Sequence, residues 1–392
     1  MKVILGAIQP QKQMFHQDAI PFITAFTISA LVVWFSTPIV RKLGLIAGLT
    51  DKPNERKMHT TPVVRLGGVS IFLGTLCALL LVWWGGWFGV LPPSKEYEVW
   101  GVTIGGVAFF LLGLADDIFQ LPAVFRLFMQ LLISGIAWWV GVRIEFISIP
   151  FFGIIKFGWL SLPITMVWLS GMVNAINWID GLDGLAAGVT TIASAVLLIT
   201  SLFMDQPAAA LIAAALSGGC LGFLRYNFKP FSSAEIFMGD GGAYYLGFTL
   251  AGVSVIGLVK TAAVAAVILP YLILAVPIVD GVVVILGRLL KRESLMSPDK
   301  NHLHHRLVRA GISKRDTVLF IYTLTIWAGC LALAISGMPA GGTYAAVSTL
   351  VLIYACWKVR NVTQRSSPNK RDINASSESS SPDPASPNSD ET

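Results

Sequence analysis

Eleven stretches of roughly 17 to 25 apolar residues follow one another along this chain, each long enough to cross a bilayer as a tilted helix. They run about 20 to 41, 66 to 91, 99 to 115, 124 to 142, 158 to 177, 184 to 203, 207 to 225, 242 to 259, 262 to 287, 317 to 336 and 341 to 357. The pattern predicts an all-α fold, a polytopic integral membrane bundle of about 11 transmembrane helices. It also divides the chain. Residues 1–18 read as an extracytoplasmic segment, 19–360 as a single transmembrane domain, and 361–392 as a disordered cytoplasmic tail, because Ser, Pro, Asn and acidic groups there are too polar to bury a core.

Composition agrees with a membrane setting: 55% of the 392 residues are hydrophobic, 13% are charged, and the mean hydropathy is +0.70. The basic residues orient the array. With the 41–65 connection in the cytoplasm, 22 of the 28 Lys and Arg lie inside, and Lys2, Lys12, Lys95, Arg143, Lys156 and Lys260 lie outside. The N-terminus is then outside and the C-terminus cytoplasmic. The first apolar run shows no short core with a cleavage site, so it serves as the insertion signal. Cys77, Cys220, Cys330 and Cys356 sit in apolar stretches without CxxC spacing and read as small packing residues. The net charge of +6 follows from membrane topology, and no nucleic-acid motif accompanies it.

Nearly every polar group that calls for a chemical explanation lies in a cytoplasmic connection. Asp116 and Asp117 end the third stretch, at the helix end where the macrodipole disfavours negative charge. A divalent cation accounts for such a pair, since Mg²⁺ takes one or two carboxylates together with phosphate oxygens and water. Two interfacial anchors in a turn leading to Pro122 are the plainer alternative. Asn174, Asn177 and Asp180 recur every third position as the fifth stretch ends, and two Asp-Gly turns, Asp180-Gly181 and Asp183-Gly184, then break the helix. These side chains either converge on one ligand or join helices.

Asp240 stands among Gly239, Gly241 and Gly242 at the start of a stretch, where backbone can approach a phosphate closely. His302, His304 and His305 lie beside Lys300 and Arg306, a set suited to a diphosphate; zinc lacks a fourth ligand nearby, and a plain basic surface loop is the other alternative. The first cytoplasmic connection carries Lys52, Arg56 and Lys57, then Arg65-Leu66-Gly67-Gly68, cations that membrane topology alone would explain. Asp280, inside an apolar run, should be paired or functional.

The ordered set DKPNERKMH with RLGG, LADD, NxxNxxDGLDG, MGD, PIVDG and PDKNHLHHRL, spanning about residues 40 to 310, resembles the polyprenyl-phosphate N-acetylhexosamine-1-phosphate transferases. The resemblance implies an Mg²⁺-dependent phosphoglycosyltransferase, with Mn²⁺ as a substitute ion. Its reaction moves a sugar 1-phosphate from a UDP sugar to undecaprenyl phosphate and releases UMP, the first membrane step of a cell-envelope polysaccharide. It implies catalytic roles for Asp116, Asp117, Asp240, His304 and His305, with Asp117 and Asp240 on the metal. It implies substrate contacts for Lys52, Arg56, Lys57, Asn177, Asp180, Asp183, Lys300, His302 and Arg306. The partners implied are a UDP-sugar donor, a polyprenyl phosphate acceptor, membrane lipids and, as in some members, a second copy of the chain. The location implied is the bacterial cytoplasmic membrane, with the site facing the cytoplasm.

The HLHHR form is similar to the N-acetylglucosamine branch, whereas the phospho-N-acetylmuramoyl-pentapeptide branch typically has three consecutive histidines followed by an acidic residue. UDP-N-acetylglucosamine is therefore the expected donor, with the pentapeptide or another UDP-N-acetylhexosamine as the alternative. One departure is MGDGGA at Met238 to Ala243, where members often show MGDTGS. A secondary transporter is the distant alternative, and no internal repeat supports it. A phosphomonoester is already largely dianionic at neutral pH, its second pKa being about 6. Asp116 is therefore expected to position the nucleophile or metal rather than to act as a strong base.

Overall fold

A computed structural model describes residues 19–51, 62–86, 91, 93–149, 153–229, 232–259, 264–293 and 301–366. Thirteen α-helices account for most of them: α1 Ile20–Ile46, α2 Gly67–Trp84, α3 Pro93–Phe119, α4 Ala123–Trp139, α5 Ser161–Ile179, α6 Leu185–Phe203, α7 Pro207–Asn227, α8 Gly239–Ser254, α9 Val264–Ile273, α10 Ala275–Lys291, α11 Leu303–Arg309, α12 Lys314–Ile335 and α13 Gly341–Ser366. The protein is an all-α polytopic bundle, as its apolar pattern predicts.

Among the described residues eight helices are long and apolar enough to cross a membrane, rather than eleven. α4, with 17 residues, is shorter. α8 has 16 and continues as a π-helical turn over Val255–Val259. The expected single span over 262–287 is instead two helices that meet at Leu274. Pro277 has no N–H to donate to Ile273 O, so the first helix loses a bond there, and Pro277 falls in the tolerant first turn of the second. α13 runs on to Ser366, six residues into the expected tail; residues 1–18 and the rest of that tail, 367–392, lie outside the described residues.

Two short hairpins were not legible in the apolar pattern. β1 (Thr50–Asp51) pairs antiparallel with β2 (Val63–Val64), and β3 (Phe146–Ile149) pairs with β4 (Gly153–Lys156) between α4 and α5. Val64 also bridges to Ile236, which ties β2 to the segment before α8.

The core is built around α7 and α8, whose side chains are almost all buried. Gly218 and Gly222 let α1 lie directly on α7: a Cβ at these positions would stand 2.1 Å from Phe26 O and 2.6 Å from Ala30 O. Small residues four apart are how helices gain dispersion contact where lipid supplies no hydrophobic drive. Pro38 inside α1 frees the carbonyl of Trp34, and Tyr226 Oη donates to that oxygen at 2.9 Å. An apolar medium requires such compensation. α4 is fastened to α5 by polar side chains as well. Asn174 Nδ2 donates to Gln130 Oε1 at 2.7 Å, and the Ser134 and Ser170 hydroxyls are 2.9 Å apart.

Candidate active site

The C-terminal ends of α3 and α5 meet the N-terminal ends of α2 and α8 at one end of the bundle. Backbone bonds fasten the segment before α2 to the segment before α8. Phe237 N–H donates to Val64 O, Gly67 N–H to Phe237 O and Gly68 N–H to Met238 O, each at 2.8 Å. Glycine is required for this contact, because a Cβ on Gly68 would lie 2.3 Å from both N and Cα of Gly242.

That junction carries Arg65 over two carboxylates. Its Nη2 lies 3.7 Å from Asp117 Oδ1 and 3.9 Å from Asp240 Oδ1. Burial opposes the charge on Arg65, but the surrounding carboxylates, Asp240 first and then Asp117, Asp51 and Asp180, together outweigh it and hold the guanidinium more firmly protonated than usual. Asn177 Nδ2 donates to Asp240 Oδ1 at 2.7 Å, and Gly241 N–H donates to Asp117 Oδ2 at 2.9 Å. Asp117 Oδ1 is buried without a hydrogen-bond partner. Such an atom is costly unless something else meets it.

Asp116 lies within interaction distance of Asp240, but its other contacts lead to the turn after α3. Its Oδ1 accepts Leu121 N–H at 2.9 Å; its Oδ2 accepts Arg126 Nη1 at 2.5 Å and Tyr244 Oη at 3.3 Å. The carboxylate is 4% exposed and fully engaged, closing the turn from α3 to α4. Of the recurring polar positions on α5, Asn177 reaches the carboxylates, whereas Asn174 joins helices.

Asp180 ends α5 as its C-cap. Burial first, and then the nearby Asp240, push its carboxyl up to about 7, while Arg65 opposes the shift. Asp183 Oδ2 accepts Ala234 N–H at 2.9 Å and so holds the segment leading to Asp240. Asn227 acts between the same parts, with Oδ1 accepting Gly184 N–H at 2.8 Å and Nδ2 donating to Ile236 O at 2.9 Å.

α11 brings the histidines to the turn after Asp180. His304 is 1% exposed, and a Cβ on Gly181 would fall 2.4 Å from its Nε2. Burial, followed by repulsion from His305, pushes the His304 imidazole down to about 4, so it is neutral at physiological pH. The His304 and His305 rings lie 4.2 Å apart. Arg306 lines a cavity of about 270 Å³ with Arg288, Lys291, Glu293, Asn301 and Arg309. Lys52, Arg56, Lys57 and Lys300 lie outside the described residues.

Among the described residues no three His, Cys, Asp or Glu side chains converge closely enough to hold an ion by themselves. The available donor set is the Asp117 and Asp240 pair, which matches the one or two carboxylates that Mg²⁺ takes beside phosphate oxygens and water. Asp117 Oδ1, which faces Arg65 without a hydrogen bond, is the atom that fits such an ion.

Arg65 is the main residue that the sequence left among topological cations; its place next to Gly67-Gly68 was the available signal. Arg126 was hidden inside an apolar stretch, and Tyr244 had no signal at all. A Cβ at Gly241 would stand 3.1 Å from Leu114 N, so a larger residue there would require α3 to give way slightly.

Carboxylates and guanidinium groups gathered at one end of an apolar helical bundle make a site suited to phosphate groups at a membrane surface. The model for glycosyl transferase family 4 matches residues 99–258, which include Asp116, Asp117, Asn177, Asp180, Asp183 and Asp240. The chain is 35% identical over 314 residues to a Bacillus subtilis protein named "Probable undecaprenyl-phosphate N-acetylglucosaminyl 1-phosphate transferase", covering 79% of this chain and 84% of that one. It is 34% identical over 331 residues to the decaprenyl-phosphate N-acetylglucosaminephosphotransferase of Mycobacterium leprae, covering 78% and 80%. It is 28% identical over 306 residues to the undecaprenyl-phosphate alpha-N-acetylglucosaminyl 1-phosphate transferase of Escherichia coli K12, covering 76% and 78%. The chain belongs to this family, the polyprenyl-phosphate N-acetylhexosamine-1-phosphate transferases, and is a multi-pass bacterial membrane phosphoglycosyltransferase.

Proposed function

We propose that the protein transfers N-acetylglucosamine 1-phosphate from UDP-N-acetylglucosamine to undecaprenyl phosphate at the cytoplasmic face, with the N-terminus outside and the C-terminus inside. The observation that carries this reading is Arg65 spanning Asp117 and Asp240, with Asp117 Oδ1 held by that charge alone and accepting no hydrogen bond. A phosphate oxygen of the lipid attacks the phosphorus that bears the sugar. The bond from that phosphorus to the oxygen bridging it to the uridine phosphate breaks, and UMP leaves with the electron pair.

Asp117 and Asp240 would hold Mg²⁺, which supplies Lewis-acid stabilisation of charge on the transferring and leaving oxygens. Arg65 adds a fixed positive charge beside the same oxygens. Asn177 orients Asp240, and Gly241 N–H orients Asp117. Asp116, already occupied by Arg126, Leu121 and Tyr244, sets the α3–α4 turn and keeps Arg126 in place for the lipid phosphate. Asp180 and the histidine segment then face the donor. The names of the Bacillus and Escherichia relatives support the undecaprenyl acceptor and N-acetylglucosamine donor, while the mycobacterial relative acts on a decaprenyl lipid.

The test is UMP release by purified protein with undecaprenyl phosphate, comparing UDP-N-acetylglucosamine, UDP-N-acetylgalactosamine and UDP-N-acetylmuramoyl-pentapeptide. Turnover with the first donor, lost on chelation, restored by Mg²⁺ and absent in Asp117→Asn, is expected. Preference for another donor would reassign the branch, and turnover that survives chelation would remove the metal from the scheme. A parallel series with decaprenyl phosphate tests the lipid.

A further inference from the structure

Asp280 is a buried charged residue that the reaction scheme leaves unused. It stands on α10 one turn from the helix start and is 8% exposed. An ionisable group inside an apolar helix must be paired or functional, and its two oxygens engage two consecutive residues at the start of α11. Asp280 Oδ1 accepts Leu303 N–H at 2.7 Å, while Oδ2 lies 2.9 Å from His302 Nδ1.

A carboxylate can only accept, so His302 must present Nδ1–H to it and keep Nε2 as the acceptor of the ring. The ring is then fixed from its sides. Trp178 and His304 each lie 5.9 Å from it, the His302 and His304 planes being nearly parallel at 13°. His304 in turn fills the space above Gly181. A carboxylate on α10 is thereby linked through two imidazoles to the turn after Asp180, a connection that joins PIVDG, HLHHR and DGLDG physically.

We propose that Asp280 is a positioning residue, which fixes the Nδ1–H tautomer of His302 and seats α11 against the Asp180-Gly181 turn. Its effect on turnover rests on the transferase reading above; its effect on the tautomer does not. Replacing Asp280 by Asn keeps an oxygen for Leu303 N–H but turns an NH₂ group toward His302 Nδ1, and this forces the opposite tautomer. Partners that orient a metal-ligating histidine are worth roughly 10- to 100-fold in activity, and the same order is expected for a histidine that is oriented toward substrate.

The experiment uses the full chain in lipid nanodiscs with ¹⁵N-labelled histidine. The chain has five histidines, and His302 is assigned by the resonance lost in His302→Gln. In the wild type, His302 is expected as the Nδ1–H tautomer, converting to Nε2–H in Asp280→Asn. Turnover of Asp280→Asn is expected to fall roughly 10- to 100-fold, and the Asp280→Asn/His302→Gln double variant should be no slower than His302→Gln alone. A wild-type His302 in the Nε2–H form overturns the proposal, as do two single effects that multiply in the double variant. If Asp280→Asn does not fold, the wild-type spectrum alone decides. If no donor turns over, the transferase reading fails while the tautomer result still stands or falls by itself.

Discussion

Substituting Gly68 by Ala probes the junction on which the site depends. The added methyl would stand 2.3 Å from Gly242 N and Cα, whereas non-bonded carbons rest at about 3.5–4.0 Å. Both partners are backbone at helix starts, so no side chain can swing away. α2 and α8 must separate by roughly 1.2 Å or more. Overpacking of this kind costs about 1–3 kcal/mol, and straining the Gly67–Phe237 and Gly68–Met238 hydrogen bonds adds about 1 kcal/mol each. Arg65 and Asp240 ride on the two sides of the junction, and a misplacement near 1 Å costs on the order of 100-fold in rate. UMP release should therefore fall about 100-fold with a lowered melting temperature. Gly171→Ala is the control, since a Cβ there meets nothing within 4 Å; it should stay fully active. Wild-type turnover and melting in Gly68→Ala would refute the reasoning.

Arg65→Ala should lower kcat by on the order of 100-fold, and Arg65→Lys should recover part of it, because a single nitrogen, Nη2, faces both carboxylates while a lysine loses the planar group's remaining donors; unchanged turnover in Arg65→Ala would contradict the bridging role. Asp116→Asn should lower kcat by leaving Arg126 without its charge partner, and raising the pH should not restore it. A pH-dependent rescue, read from a rate profile, would make Asp116 a base after all. His304 has a folded-state pKa of about 4, below the usual 6.5, so the unfolded chain binds more protons between those values. Stability from this group is present above pH 6.5 and lost as pH falls toward 4, by up to about 3 kcal/mol. Melting curves of His304→Gln should lack that acid-side decline, and an unchanged decline would discount it.

Much of the site was legible because its aspartates stand where apolar helices end, and charge in that position is rare without a reason. Asp117, Asn177 and Asp240 do come together. What the sequence hid were pairings between distant segments. Arg65 looked like one topological cation among several, since its carboxylates lie on α3 and α8. Asp280 signalled that it had a partner but not which one, because His302 reaches it across a connection that no periodicity describes. The break at Leu274 was blurred by hydrophobicity continuous through both helices, and the β1–β2 hairpin carries too few residues for an alternation to emerge. Asp183 and Asn174 show the opposite limit: polar residues in a motif that hold segments and helices together.

The bond from Gly241 N–H to Asp117 joins residues 124 apart. A ribosome adding roughly 5–20 residues per second needs about 6–25 s to travel that distance. Throughout this interval α3 is available for insertion while Asp117 has neither Gly241 nor the Asn177–Asp240 pair beside it. The first half of the site must therefore wait at the membrane surface, where water can solvate its carboxylates, until α8 emerges. The siting of these acids at helix ends is thus a condition for building the protein as well as for using it.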